Sequence, residues 1–188
     1  MRIVAGRLKG RAITAPDGAM TRPTSDRVRQ ALFNVLAHGI NGFDLEGARV
    51  FDLFAGSGAL GIEALSRGAE TATFVETGGD ARAAIRANID AFGLGGITRI
   101  LKRDACDLGP CQPGDPFTLC FLDPPYGRGL GERALSAALA GKWLTDDAVV
   151  VLEEQTGAEI AWPRDIAVID VRTYGDTTLH IARVSAAA

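Results

Sequence analysis

Long apolar runs are missing from this chain of 188 residues. None approaches the length needed to span a bilayer, and Met1-Arg2-Ile3-Val4-Ala5-Gly6-Arg7 lacks the extended apolar region of a secretory signal, so no export or membrane partner is expected. Cysteine is scarce. Cys106, Cys111 and Cys120 are odd in number and form no CxxC pair. Reduced thiols in a cytoplasmic protein are therefore expected, and a metal site is not. Histidine occurs only at His38 and His180. The first ends a helical pattern, where it complements the dipole, and the second alternates within a strand pattern. Neither is assigned chemistry, and Trp143 and Trp162 are read as packing residues. There is no internal repeat. What remains is one domain, or one domain with a short appendage, long enough to bury a sizeable core.

What is present begins with a charge asymmetry hidden in a net charge of −3. Residues 1–30 carry seven basic side chains, Arg2, Arg7, Lys9, Arg11, Arg22, Arg27 and Arg29, against Asp17 and Asp26, a balance of +5. The other 158 residues hold 13 basic and 21 acidic groups, a balance of −8. A basic arm on an acidic body suits an arm that meets a polyanion. The plain alternative is a solvated N-terminal face.

Ile3-Val4-Ala5 and Ala12-Ile13-Thr14 flank a basic, glycine-bearing turn and predict a short hairpin. A helix follows from near Ser25, with Val28, Leu32, Phe33, Val35 and Leu36 on its apolar face and Arg22, Arg27 and Arg29 left free for phosphate. From Ala48 onward strand and helix patterns alternate. Strands are expected at Arg49–Phe54, Thr71–Glu76, Thr98–Lys102, Phe117–Leu122 and Ala148–Glu153, with helices near Leu60–Arg67, Asp80–Phe92 and Gly131–Ala140. Such alternation means βαβ units and a parallel sheet. Ile166–Thr173 and Thr177–Val184, joined by Tyr174-Gly175-Asp176, predict an antiparallel hairpin that finishes the sheet. The fold class is α/β. The expected division is an N-terminal extension, residues 1–45, and a domain over residues 46–188.

Phe51-Asp52-Leu53-Phe54-Ala55-Gly56-Ser57-Gly58-Ala59-Leu60-Gly61 puts glycines between the first core strand and its helix. Gly56, Gly58 and Gly61 satisfy GxGxxG, with Glu76 at the distance of a ribose contact, so a dinucleotide oxidoreductase has to be weighed. Asp52 argues against it, because a carboxylate there would repel a pyrophosphate. S-adenosylmethionine carries an ammonium and a sulfonium in place of phosphate, and Asp52 favours it. Ala55, Gly56, Ser57 and Gly58 would form its loop. Glu76 would accept the ribose hydroxyls, and Asp104, with Ala105 beside it, would accept from the adenine amine.

Asp123-Pro124-Pro125-Tyr126 follows the apolar run ending at Leu122. Two prolines have no N–H to donate and stiffen the chain. They can hold a carboxylate, the Pro124 carbonyl and the Tyr126 ring in fixed relation, which suits a planar base whose exocyclic amine reacts. The plain alternative is a rigid strand-to-helix turn. Asp123, Pro124 and Tyr126 are the candidate catalytic residues, and Asp123 also borders the cofactor loop.

With both motifs in place, the chain resembles class I methyltransferases acting on exocyclic amines of bases. Arg2-Ile3-Val4-Ala5-Gly6 with Gly10-Arg11, the run from Arg22-Pro23-Thr24-Ser25-Asp26-Arg27 to Asn34, and the run from Asp52 to Gly68 are similar to the RsmD family of 16S rRNA guanine-N2 methyltransferases. The resemblance runs from residue 2 to Thr177. It implies a Rossmann-like sheet, S-adenosylmethionine as methyl donor, and a guanine of 16S rRNA in the small ribosomal subunit or an assembly intermediate as substrate. No metal is implied, and a monomer is expected. Arg7, Lys9, Arg11, Arg22, Arg27 and Arg29 are the expected RNA contacts. Asp-Pro-Pro-Tyr also occurs in DNA adenine methyltransferases, so it does not name the base. Such enzymes usually carry extra residues for target recognition, and here about 45 precede the core. A non-catalytic RNA-binding factor is the remaining rival.

Overall fold

The computed structural model describes residues 1–16, 26–111 and 116–185. Its centre is a sheet of β1 (Arg49–Leu53), β2 (Thr71–Val75), β3 (Thr98–Leu101), β4 (Phe117–Leu122), β5 (Leu144–Gln155), β6 (Ile166–Tyr174) and β7 (Thr177–Val184). Between and before them lie α1 (Asp26–His38), α2 (Ala59–Ser66), α3 (Gly79–Phe92) and α4 (Leu130–Ala140). The strand order is β3-β2-β1-β4-β5-β7-β6. β1 to β5 run parallel, and β7 inserts antiparallel between β5 and β6. The expected Rossmann-like α/β architecture is present. No helix among the described residues is long and apolar enough to cross a membrane.

Strands covered on both faces should read as continuous apolar runs, and they do. Val50, Phe74, Leu119, Phe121, Val149 and Val151 face one core shared with Leu32, Phe33, Ile62 and Ile85 of α1, α2 and α3. Phe51, Leu53, Cys120, Leu122, Val150 and Leu152 face the other, shared with Leu135 of α4. There Phe51 lies near-parallel to both Phe117 and Trp143, with centroids 4.6 and 5.1 Å away, and those two rings are 6.4 Å from each other. Trp143 is thus a packing residue, its indole N–H donating to the Gly109 carbonyl at 2.8 Å. β5 begins four residues before the expected Ala148. After Leu144, which pairs with Phe117, the polar Thr145-Asp146-Asp147 precede a shift of register to Leu119 with Val149, which masks the strand period. The hairpin turn is two residues, since Tyr174 pairs with Thr177.

The N-terminal hairpin is reduced to one antiparallel bridge, Arg2 with Ala12. The segment is held by docking. Ile3, Leu8 and Ile13 are buried in the same core as the sheet. Val4 and Ala5 amides donate to the Glu63 carboxylate at 2.8 and 3.0 Å, and Arg7 N–H donates to the Ser66 carbonyl at 2.8 Å. Gly6 makes this possible: its φ is +79°, and a Cβ there would lie 1.9 Å from the Ser66 carbonyl oxygen.

Candidate active site

Register brings the strand ends together. Leu53 pairs with Val75 and with Leu122, and Leu122 pairs with Leu152. The next residues along, Phe54, Glu76, Asp123 and Glu153, therefore sit side by side at the carboxyl end of the sheet, where open α/β folds hold ligands. Asp52 lies two residues inside that row, opposite Phe74 and Phe121. It is buried, and its Oδ2 accepts the Gly61 amide at 2.9 Å. A Cβ on Gly61 would come within 2.5 Å of the Phe74 ring, so glycine is what lets α2 approach β1 and β2 so closely.

The loop above Asp52 is closed by its own backbone and by Glu76. Ala55 N–H donates to the Val75 carbonyl at 3.1 Å and Gly58 N–H to the Ala55 carbonyl at 2.7 Å. Glu76 accepts the Gly56 amide at 2.9 Å and the Gly78 amide at 2.7 Å. Phe54 has φ +62°, a conformation costing a non-glycine residue about 1–2 kcal/mol. Strain of that kind concentrates at ligand sites. Beside it a cavity of about 250 Å³ is lined by Phe54, Glu76, Asp104, Ala105, Pro125 and Leu130. Asp104 is exposed, and its Oδ1 accepts the Cys106 amide at 2.8 Å. A larger hollow of about 410 Å³ runs against the first residues of β1 to β4, Arg49, Thr71, Thr98 and Phe117. It holds none of the strand-end carboxylates, so the smaller cavity is the chemically relevant one.

Asp123 is partly covered, Pro124 is buried, and Pro125 is exposed. The Tyr126 hydroxyl donates to Glu153 Oε1 at 2.6 Å and lies 3.2 Å from Thr177 Oγ1. Gly127 N–H donates to Glu154 Oε1 at 3.1 Å. Burial pushes the Asp52 carboxyl up to about 7; the Gly61 hydrogen bond opposes this and Glu76 adds to it. Asp123 is also raised well above the carboxylate range, first by poor hydration and then by Glu153, Asp52 and Glu154. Tyr126 is raised, by burial first, so its hydroxyl stays a neutral donor. The arrangement is a set of acids held closer than anions tolerate in so little water, which a cation would relieve.

Asp52, Ala55, Gly56, Ser57, Gly58, Glu76, Asp104, Ala105, Asp123, Pro124 and Tyr126 thus gather at one end of the sheet. The expected RNA contacts do not share one setting. Arg7, Lys9 and Arg27 are exposed. Arg11 donates to the Ala91 carbonyl, and its guanidinium carbon lies 4.6 Å from the Phe92 ring centroid, so it latches the arm to α3. Arg22 lies outside the described residues. Arg29 is a correction. It is fully buried, bonded to Asp26 at 2.7 Å and to the Arg2 carbonyl, with Nε 3.8 Å from Glu63. Its place on α1 turns it toward α2 and the docked arm, and it cannot reach phosphate. Glu153 and Glu154 were not anticipated. The signal was present, two acids closing an apolar strand, but it also fits a strand simply ending in solvent.

The family model described as Conserved hypothetical protein 95 matches residues 1–183. Ribosomal RNA small subunit methyltransferase D of Escherichia coli strain K12 is 38% identical over 155 residues, covering 82% of this chain and 75% of that protein. The protein of the same name from Haemophilus influenzae is 30% identical over 177 residues, covering 93% of this chain and 89% of that one. The solved structure of Escherichia coli yhhF is similar across 100% of this chain and 99% of its own, with TM-score 0.84 and 32% identity. A family model over nearly the whole chain, curated relatives at 38% and 30% identity and a shared fold agree: the chain belongs to the RsmD family of methyltransferases.

Proposed function

We propose that this protein transfers a methyl group from S-adenosylmethionine to the exocyclic N2 amine of one guanine in 16S rRNA of the small ribosomal subunit. The observation that carries the reading is the gathering of acids at one end of the sheet: Asp52 and Asp123, both pushed toward their neutral forms, stand with Glu153 beside Glu76 and Asp104, which line the 250 Å³ cavity. A ligand bearing an ammonium and a sulfonium supplies the missing positive charge, and its sulfonium supplies an electrophilic methyl group. Asp52 acts on that charge from beneath the loop, which Gly56, Ser57 and Gly58 form with Ala55. Glu76 suits the ribose hydroxyls, and Asp104 with Ala105 suits the adenine edge.

The guanine is splayed from its loop, as base-modifying enzymes require. Tyr126 offers its ring for stacking, worth about 1–3 kcal/mol by analogy with other base–aromatic contacts. Its hydroxyl bond to Glu153 fixes the ring's angle. The amine donates to the Asp123 carboxylate and the Pro124 carbonyl, which turns its lone pair toward the methyl group and stabilises positive charge growing on nitrogen. Residues 1–45 form the RNA-facing part, with Arg7, Lys9 and Arg27 meeting phosphate; relatives named for small-subunit rRNA support that choice of polyanion. Asp123→Ala tests the reading. It should abolish turnover while calorimetric binding of S-adenosylhomocysteine stays near that of the unaltered protein. A fully active variant would overturn the assigned role.

A further inference from the structure

One side chain bonds to both the glycine loop and the N-terminal arm. Asn88, on the inner face of α3, is 1% exposed. Its Oδ1 accepts the Thr14 amide at 2.8 Å, and its Nδ2 donates to the Thr14 carbonyl at 2.9 Å. The same Nδ2 donates to the Ser57 carbonyl at 3.0 Å. A carboxamide has one acceptor and two N–H groups, and only one orientation serves all three partners. The pair of bonds to Thr14 imitates a strand pairing, so the amide grips the arm's backbone in both directions. The remaining N–H reaches Ser57, in the middle of the loop that Glu76 closes from the other side.

We propose that Asn88 is a positioning residue that couples this loop to the arm, so that cofactor and ribosomal substrate bind with positive cooperativity. The inference rests on the loop holding the cofactor and the arm meeting RNA. A ligand seated in the loop immobilises the Ser57 carbonyl, which fixes the Asn88 amide and with it Thr14. The arm then loses less freedom when it meets RNA. Linkage requires the same factor in reverse, so RNA bound at the arm tightens the cofactor by an equal amount. The other anchors of the arm act differently. Glu63 and Ser66 hold Val4, Ala5 and Leu8 against the last turns of α2, away from the loop.

The test measures the affinity of S-adenosylhomocysteine with and without purified small ribosomal subunits, for the full chain and two variants. Asn88→Asp keeps shape and the acceptor for Thr14 N–H, but turns an oxygen toward the carbonyls of Thr14 and Ser57. Thr14→Pro deletes the arm's N–H and leaves the loop untouched. The unaltered protein should bind the nucleoside about tenfold more tightly in the presence of particles, within the usual range of coupling. In both variants that ratio should fall to near one, with Thr14→Pro keeping its affinity for the nucleoside alone. If Asn88→Asp does not fold, Thr14→Pro carries the test. A purely structural Asn88 would lower melting temperature and both affinities but leave the ratio intact, which overturns the proposal. A ratio of one in the unaltered protein overturns it as well. Failure of the unaltered protein to bind the nucleoside at all would instead bring down the functional reading beneath it.

Discussion

Replacing Asp52 by asparagine should stabilise the protein while weakening its hold on a cationic ligand. The Asp52 carboxyl is buried against Phe74 and Phe121, and its proton affinity rises from 3.8 to about 7 in the fold. The folded state therefore holds this proton more tightly than the unfolded chain between those pH values. That contribution to stability is fully present below pH 3.8 and is lost as pH rises through about 7. At about 1.4 kcal/mol per pH unit the whole loss is on the order of 4 kcal/mol, and the part between pH 5 and pH 7 is about 3 kcal/mol. Asparagine has the same shape and can accept the Gly61 amide, but cannot ionise. Against it stands a weaker bond to Gly61, about 1 kcal/mol at every pH. Urea unfolding at pH 5 and pH 8 reads the effect together with the smaller share of the Asp123 shift that the Asp52 charge causes. The stability of D52N relative to the unaltered protein should grow by about 3 kcal/mol from the lower pH to the higher. At pH 8 its affinity for S-adenosylmethionine should fall about tenfold or more, or about 1.4 kcal/mol. A stability difference that does not change with pH would refute the account of Asp52.

Gly6→Ala forces a side chain into a backbone angle costing about 1–2 kcal/mol and against the Ser66 carbonyl. It should lower the melting temperature by about 4 °C or more; an unchanged melt would mean the arm does not dock as described. Arg7→Ala with Lys9→Ala should weaken RNA-substrate binding and reduce its salt slope by about 1.5–2, with melting unchanged. Arg29→Ala should destabilise the fold by about 3–5 kcal/mol, because Glu63 is left buried with less compensation; an unchanged calorimetric melt would mean that Arg29 is not buried against it. Tyr126→Phe keeps the ring but removes the donor to Glu153, at about 1–3 kcal/mol of stability in urea titration. Unaltered stability would count against that hydrogen bond.

Elements with a clean period were legible from the chain. Runs such as Phe117–Leu122, bounded by turn residues, predict buried strands, and their ends locate the acids that follow them. The failures came where tertiary packing overrides local pattern. Arg29 sits on a helix whose sequence offers it to solvent as readily as Arg27; the buried Glu63 and the Arg2 carbonyl, distant in sequence, are among the partners that hold it inward. The N-terminal pattern alternates like a hairpin, yet the amides of Val4, Ala5, Arg7 and Leu8 are satisfied by Glu63 and Ser66 of α2. Glu153 and Glu154 gain meaning only from lying beside Asp123, a neighbour set by the β4–β5 register. Asn88 gave no signal, since a polar residue in a helix ordinarily faces water.

Methyl transfer to a guanine amine of ribosomal RNA is decided by where a labelled methyl group goes. Small ribosomal subunits, naked 16S rRNA and duplex DNA, each incubated with the protein and S-adenosylmethionine labelled on the methyl group, test it most directly. Label is expected in 16S rRNA, in the particle above all, mapping to N2 of a single guanine. Label in DNA adenine, or none in RNA under any condition, would contradict it.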